Sequence, residues 1–269
     1  MKDNSIGFIG AGNMANSLIR GLLAKGVSPD RLIAADIDTT KLETLASDCG
    51  VRTASAQDIA ATADVLILAV KPQVMEQACR PLCASLQSRQ SLVVSIAAGI
   101  TIAHLQDWLG RHVALVRCMP NTPALVGKGA TGLYANKKVS SEQKALAEEI
   151  LGAVGLALWL DSEAAIDAVT ALSGSGPAYF FLFMEAMQET AVNMGLDEET
   201  ARKLTYQTAT GAAALAASSD LSTAELRRQV TSPGGTTEQA LNQFEQGGLR
   251  NLVQKALLAA QRRSRELSE

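Results

Sequence analysis

The segment TSPGGTT, residues 231–237, combines groups that can bind a small anion. Pro233 fixes its φ angle, and the glycines after it permit positive φ values and close approach of another molecule to the backbone. The apolar pattern that follows predicts a helix, so N–H groups at the helix start and threonine hydroxyls favour a carboxylate or phosphate. In a simpler interpretation the segment, called here the TSPGGTT turn, joins two helices and Thr236 or Thr237 only caps the second one.

A second chemically suggestive motif, GAGNMA, follows a short apolar run near the N-terminus. Its spacing is that of a dinucleotide-binding turn: Gly10 makes the turn, Gly12 leaves room for a pyrophosphate, and Ala15 lets the next helix pack on the strand. The motif alone also occurs by chance. Its position between a buried strand and an amphipathic helix favours a bound nicotinamide cofactor.

Asp36 ends the second predicted strand, where dinucleotide-binding folds place the residue that contacts the adenosine ribose. A carboxylate there accepts hydrogen bonds from the 2′-hydroxyl and repels a 2′-phosphate, which favours NADH over NADPH. In the alternative interpretation, Asp36 only begins the turn before the next helix.

Other predicted strand ends complete the cleft, because ligands of open α/β sheets bind beside the carboxyl ends of the strands. Lys71 follows the strand at 64–70 and offers a fixed cation, or is simply a solvated lysine before Pro72. Small residues after the strand at 91–95 let a flat ring or a phosphate approach closely. The loop MPNTP at 119–123 is made rigid by its two prolines, and it either belongs to the site or is only a structural turn.

The elements that position these residues fall into two halves. Strands alternate with helices up to Asp161, which predicts a doubly wound α/β domain over residues 1–162. Residues 163–269 have helical periodicity throughout. The helix after Pro177 is apolar on nearly all sides and should be buried, yet too few helices remain in one chain to cover it. We therefore expect an interwoven homodimer built through this half.

Composition argues against several functions. The chain has 24 Lys and Arg against 27 Asp and Glu, so it has no basic surface for nucleic acid or anionic membranes. Its apolar runs are shorter than the ~18 residues that span a bilayer, and its N-terminus does not resemble a signal peptide. The four cysteines form no CxxC pair and no cluster with histidine, which predicts reduced thiols, no metal site and a cytoplasmic location.

A nicotinamide domain joined to a helical domain with an anion-binding turn predicts hydride transfer involving a small carboxylate. Reduction of a ketone usually requires a proton shuttle, commonly histidine. His104 and His112 lie outside every motif, and we interpret them as surface or capping residues. A protonated imine already carries the electrophilic charge, so a hydroxyl donor would suffice for an imine substrate.

In these motifs the chain resembles the bacterial pyrroline-5-carboxylate reductase family from end to end. The motifs are GFIGAGNMA at 7–15, AVKP at 69–72, SIAAG at 95–99, MPNTPA at 119–124, SGSGPAY at 173–179 and VTSPGGTT at 230–237. The resemblance implies a Rossmann domain, a helical dimerisation domain, and reduction of 1-pyrroline-5-carboxylate to L-proline by NADPH or NADH. It also implies a homodimer, with a decamer as a larger assembly that such dimers can form.

The resemblance further implies roles for individual residues. The expected cofactor-binding residues are Ile9, Gly10, Ala11, Gly12, Asn13, Met14, Asp36, Ala69, Val70, Lys71, Pro72, Ala97 and Ala98. The substrate carboxylate is expected on Ser232, Gly235, Thr236 and Thr237. Thr237 is expected to be the catalytic residue, with its hydroxyl bonded to the imine nitrogen. Many relatives carry Ser or Asn near Asp36 and use NADPH, so the resemblance leaves the cofactor preference open.

Two alternatives remain at this point. A β-hydroxy-acid dehydrogenase has the same layout, but that family places a catalytic lysine shortly after its interdomain glycine turn, and residues 174–187 contain no lysine. A non-catalytic dinucleotide-sensing module would keep the glycine motif but would not need the TSPGGTT turn.

Overall fold

The computed structural model describes residues 3–87 and 89–268. They form two compact units. The first contains the described residues up to Ser175 together with those from Ala260 onward, and the second is Gly176–Ala259. This division differs from the change in sequence pattern after Asp161, because a short helical stretch beyond that residue packs against the sheet of the first unit.

Strands and helices alternate through the first unit. Its strands are β1 Ile6–Ile9, β2 Leu32–Ala35, β3 Arg52–Thr53, β4 Val65–Leu68, β5 Leu92–Ser95, β6 Ala114–Met119, β7 Gly129–Ala135 and β8 Gly155–Trp159. Its helices are α1 Asn13–Ala24, α2 Thr39–Cys49, α3 Ala56–Thr62, α4 Pro72–Cys79, α5 Cys83–Gln87, α6 Ile102–Leu109, α7 Ser141–Leu151 and α8 Ala165–Val169.

Within the described residues the strands form one sheet of eight, in the order β3-β2-β1-β4-β5-β6-β7-β8. Neighbouring strands are parallel except for the antiparallel pair β6 and β7. The chain passes from β1 to β2 on one side and returns to β4 on the other. The sheet therefore has its topological switch point beside β1, where open α/β sheets bind ligands.

Both faces of the sheet are buried by helices. Phe8 of β1 packs in a cluster with residues of α1 and α7, such as Leu18 and Leu151. The next residue, Ile9, points into a second cluster with residues of α3, α4 and α6, such as Met75. The alternation follows from the two-residue period of a strand. Because both faces of the sheet are covered, its strands have continuous apolar sequences.

Residues 170–174 continue the helical backbone beyond α8. The chain continues from α8 into a π-helical turn at Thr170–Gly174. The Ser175 N–H donates to the Thr170 carbonyl at 2.8 Å, and this bond between residues five apart is that of a π-helix. A Cβ at Gly174 would lie 2.6 Å from Cε of Met119, so glycine allows this turn to pack closely on the end of β6.

The second unit is helical. It contains α9 Gly176–Asn193, α10 Glu198–Ser218, α11 Thr223–Gln229, α12 Thr236–Gln246 and the first part of α13 Leu249–Glu266. Helices α9 and α10 pack together. The side chains of α9 nevertheless remain exposed in the single chain, with Phe180 at 67% and Phe181 at 63%. The shortage of covering helices that the sequence indicated is therefore present in the structure. Within the described residues, no helix has the length and apolar character needed to cross a membrane.

Candidate functional site

The turn after β1 has the geometry expected of a dinucleotide-binding turn. Gly10 has a φ angle of +104°, and a Cβ there would lie 2.7 Å from the carbonyl oxygen of Ala69. Any other residue would be strained and would collide with the backbone. The Gly10 N–H donates to the Ala35 carbonyl at 2.7 Å, so the turn is held between the ends of β2 and β4.

The start of α1 is shaped to hold an anion. Gly12 is its N-cap residue and no side chain caps the first turn, so the N–H groups of Asn13 and Met14 have no acceptor within the helix. A Cβ added to Gly12 would meet no atom within 4 Å, which leaves open space beside these donors. Ala15, one turn further along, is completely buried in the core, as expected of the residue that packs the helix on the strand. The cradle therefore fits the pyrophosphate of a dinucleotide.

A cavity of about 410 Å³ lies next to this turn, at the carboxyl ends of β1, β2 and β4. Its volume is in the range of small-molecule sites, about 300–1,000 Å³. Predicted residues line it, including Ile9, Asp36 and Val70. Ile37 and Val74 also line it and were not predicted. Ile37 is fully exposed, and an isoleucine in the turn directly after a strand-end aspartate was the signal that could have identified it.

Asp36 lies at the predicted place, but its carboxylate already has partners. Oδ2 accepts the Ala11 N–H at 2.6 Å, and Oδ1 accepts the Asp38 N–H at 2.9 Å. Each carboxylate oxygen can accept a further hydrogen bond, so contact with a ribose hydroxyl remains open. Asp36 also clamps the glycine turn to the approach of α2, which agrees with its alternative role in the turn before that helix.

The remaining predicted cofactor residues lie at the same edge of the sheet. Strands β4 and β5 run in parallel register, so their carboxyl ends lie together. Lys71 is exposed and forms the N-cap of α4, with Pro72 at the first helical position, so both interpretations of this lysine remain open. After β5, Ala97 is buried and Ala98 is exposed.

The MPNTP loop is tied into the first unit by Asn121. Its Oδ1 accepts the Ala130 N–H at 2.8 Å, and its Nδ2 donates to the Ser173 carbonyl at 3.0 Å. The side chain is 9% exposed. Asn121 thus joins β7 and the π-helical turn, which supports the structural interpretation of this loop.

The TSPGGTT turn leads into α12 in the second unit. Gly234 has a φ angle of +71°, which favours glycine. The N-cap is Gly235 and no side chain caps the helix, so the interpretation of Thr236 or Thr237 as the cap is wrong. Both threonines lie inside the first turn, because the helix begins at Thr236. The Gly235 N–H already donates to the Ser232 carbonyl at 3.0 Å.

Glu238 is a residue of this turn that sequence reasoning missed. Its Oε2 accepts the Gly234 N–H at 2.8 Å. Glutamate at the third helical position is where a capping box has its acidic residue, and this was the signal that could have identified it. Its partner here is the N–H one residue before the N-cap, so no capping box forms. The donors available to an anion therefore include the first-turn N–H groups of Thr236 and Thr237 and the hydroxyls of Ser232, Thr236 and Thr237, with a negative charge nearby.

The histidines have structural partners. His104 and Thr101 form a capping box at the start of α6, which confirms the interpretation of His104 as a capping residue. The His104 ring also stacks on Trp108 with ring centroids 5.6 Å apart. Nε2 of His112 lies 3.4 Å from the Leu86 carbonyl oxygen.

Comparison with known families gives matches in both halves of the chain. A family model described as pyrroline-5-carboxylate reductase dimerisation matches residues 163–267. A model described as NADP oxidoreductase, coenzyme F420-dependent, matches residues 5–99.

Whole-chain relatives are also found. The pyrroline-5-carboxylate reductase of Pseudomonas aeruginosa is 53% identical over 100% of this chain and 98% of its own. That of Vibrio alginolyticus is 45% identical over 100% and 99%. The solved enzyme from Coxiella burnetii has a TM-score of 0.96 at 48% identity over 99% of each chain. The Plasmodium falciparum enzyme, solved with NADP bound, has a TM-score of 0.86 at 29% identity over 100% of each chain.

Proposed function

This chain belongs to the pyrroline-5-carboxylate reductase family, and on that basis we propose how its residues carry out the reaction. It is an NAD(P)H-dependent oxidoreductase that reduces 1-pyrroline-5-carboxylate to L-proline, the last step of proline biosynthesis. The observation that carries this conclusion is identity of up to 53% to such enzymes over the full chain. The reduced nicotinamide supplies the hydride for the imine carbon.

Cofactor binding is proposed for the predicted residues at the switch point of the sheet. The uncapped start of α1 and the open space at Gly12 support a pyrophosphate site formed by residues 10–14. The cavity beside Ile9, Asp36 and Val70 supports an adenosine site. The stretches Ala69–Pro72 and Ala97–Ala98, which follow β4 and β5, would line the cleft from this adenosine site toward its nicotinamide half.

Substrate binding is proposed for the TSPGGTT turn. The uncapped first turn of α12 supports a carboxylate on the N–H groups of Thr236 and Thr237 and on the Ser232 hydroxyl. The Gly235 N–H is already bonded within the turn and is not a donor to the substrate. Gly235 would contribute by its lack of a side chain, which lets the substrate approach the backbone closely. The Thr237 hydroxyl would donate to the imine nitrogen and orient the ring. Because a protonated imine is already electrophilic, orientation would supply most of the acceleration.

The family match also supports a division of labour along the chain. We propose residues 1–162 as the NAD(P)-binding domain and residues 163–269 as the dimerisation and substrate domain, with the matched segments 5–99 and 163–267 in support. The exposed apolar side chains of α9 support a homodimer, of which a decamer would be a larger assembly.

A cytoplasmic location is proposed from the cysteines. All four, which lie in the described ranges, are thiols outside any disulfide. Burial raises the pKa of Cys79 to about 12 and raises that of Cys118 as well. Both thiols therefore stay protonated at neutral pH, as expected of structural cysteines.

The test of function is oxidation of NADH and of NADPH in the presence of 1-pyrroline-5-carboxylate. We expect turnover with at least one of the two cofactors.

The ratio of kcat/KM for NADH and NADPH tests the role of Asp36 in cofactor selection. If its carboxylate repels a 2′-phosphate, Asp36→Ser shifts this ratio toward NADPH by on the order of 10-fold. Asp38→Ser is the control, because serine still caps α2 and the ratio should not change. Unchanged relative KM values in Asp36→Ser would remove Asp36 from cofactor selection. Absence of turnover in a folded, cofactor-binding protein would favour the sensing module.

A further inference from the structure

Arg117 of β6 carries a buried charge that the proposed reaction does not use. The residue is 4% exposed. Its Nη1 lies 2.9 Å from Oε1 of Glu163, and their side chains are 5% and 28% exposed. Removing a guanidinium from water is costly unless a partner compensates for it. The Arg117–Glu163 pair is therefore part of the packed interior of the first unit, unlike the exposed ion pairs on the surface.

Glu163 uses the same oxygen to hold the start of α6. Its Oε1 accepts the N–H of Ile102, the first residue of that helix, at 2.8 Å. A carboxylate at a helix N-terminus is favourable because it meets unpaired N–H groups and the positive end of the helix dipole. The capping box of Thr101 and His104 orders the helix itself. Glu163 connects that helix start to β6.

The segment that Glu163 thereby holds is the connection from β5 to α6, residues 96–101, called here the 96–101 loop. At the other end of this loop, the Ile96 N–H donates to the Leu68 carbonyl of β4 at 3.2 Å. The loop contains Ala97 and Ala98, both proposed to line the cofactor cleft. Its two ends are thus fixed by bonds to different parts of the first unit, and Glu163 supplies the bond at the α6 end.

The end of α13 packs behind the same loop. Gly99 has a φ angle of +75°, and a Cβ there would lie 2.7 Å from the carbonyl oxygen of Leu267. Arg117 also reaches this segment, with Nη2 3.4 Å from Oγ of Ser268. The Ser264 hydroxyl donates to the buried Asp167 at 2.7 Å, which anchors the helix end. Arg117 therefore joins β6, Glu163 and the helix end at the back of the loop.

We propose that Glu163, held by Arg117, is a positioning residue for the cofactor: it sets the 96–101 loop so that Ala97 and Ala98 meet the nicotinamide half. This inference rests on the proposed assignment of those alanines to the cofactor cleft. Loss of the carboxylate would let the loop shift, and cofactor binding would weaken while binding of 1-pyrroline-5-carboxylate would not. A purely structural pair would lower the melting temperature and leave cofactor affinity unchanged.

The experiment compares Glu163→Ala, Glu163→Gln and Arg117→Met with the wild-type chain. Glutamine keeps an oxygen for the Ile102 N–H and loses only the charge that holds Arg117. We expect the Kd and KM for NADH or NADPH to rise about 10-fold in Glu163→Ala and by less in Glu163→Gln. The KM for 1-pyrroline-5-carboxylate should stay unchanged. The matched controls are Glu266→Gln and Arg263→Met, which break an exposed Arg–Glu pair of the same 2.9 Å length on α13.

Cofactor Kd is measured without substrate by fluorescence titration of each folded variant, alongside its melting temperature. Glu163→Gln keeps the test usable if Arg117→Met does not fold. Lower melting temperatures with unchanged cofactor Kd in both Glu163 variants would overturn the inference. A rise of the cofactor Kd in the control variants equal to that in the Glu163 variants would also overturn it. Failure of the wild-type chain to reduce the substrate would instead reject the proposed function, so the two failures are distinguishable.

Discussion

At the scale of single residues, Thr237 carries the most specific chemical role. It is the second residue of α12 and half-buried, and its hydroxyl does not cap the helix. If this hydroxyl donates to the imine nitrogen in the transition state, Thr237→Ala lowers kcat/KM by roughly 10- to 1000-fold. Thr231→Ala is the control in the same turn, because that hydroxyl is used in a bond to the Arg227 carbonyl at 2.6 Å. Steady-state kinetics with equal activity in both variants would remove Thr237 from the mechanism.

Glu238 sets the charge of the proposed substrate site. It accepts the Gly234 N–H at 2.8 Å and is partly exposed, close to where a substrate carboxylate would bind. Glu238→Gln keeps a hydrogen-bond acceptor but removes the repulsion, so the KM for 1-pyrroline-5-carboxylate should fall about twofold at low salt. The effect should disappear at high salt because counterions screen exposed charges. A KM that does not change at low salt would place the substrate outside the field of Glu238.

At the scale of elements, Asp64 connects the segments that lead into β1, β4 and β5. It accepts hydrogen bonds from both the N–H and the hydroxyl of Ser5 at 2.9 Å, just before β1. Arg89, before β5, donates to it at 2.7 Å. Burial by itself would raise the pKa of Asp64, but the bonds from Ser5 and Arg89 outweigh it and lower the pKa. The ionised carboxylate therefore stabilises the arrangement of β1, β4 and β5.

Asp64→Asn should lower the free energy of unfolding by about 1 kcal/mol at pH 7, a modest value because the site is partly exposed. A folded pKa below the unfolded one gives a stabilisation that is complete above the unfolded pKa, about 3.9, and that disappears as pH falls through the folded pKa. The difference between the two proteins should therefore shrink below about pH 4. Denaturant unfolding at several pH values measures it. A constant difference would mean that the amide disturbs packing instead.

At the scale of the whole molecule, the apolar surface of α9 predicts association. Phe181 is 63% exposed in the single chain, and the dimerisation model covers this helix. A charge there would be buried without a partner in a dimer, so Phe181→Glu should give a monomer with strongly reduced activity. Thr44→Glu, on the exposed face of α2 in the first unit, should stay dimeric. Light scattering decides between these outcomes, and a stable, active wild-type monomer at micromolar concentration would contradict the homodimer itself.

The amino-acid sequence by itself determined the fold class, the glycine turn and most of the strands. Buried strands are continuous apolar runs, and the spacing of Gly10 and Gly12 directly after such a run identifies the turn from local sequence. Strand β3 was missed because its two residues, Arg52 and Thr53, are too few to show a period. The capping role of His104 could also be recognised, because its partner Thr101 lies within the same helical turn.

Only the tertiary structure decided which distant groups meet. The second role of Asp36 depends on the Ala11 N–H, 25 residues away. Arg117 meets Glu163 and Ser268 across 46 and 151 residues. Such contacts leave no periodic signal in the sequence, because they depend on how the strands are ordered and on where a helix ends. The sequence therefore specifies the groups that can do the chemistry, and the packing of remote segments decides how those groups are held.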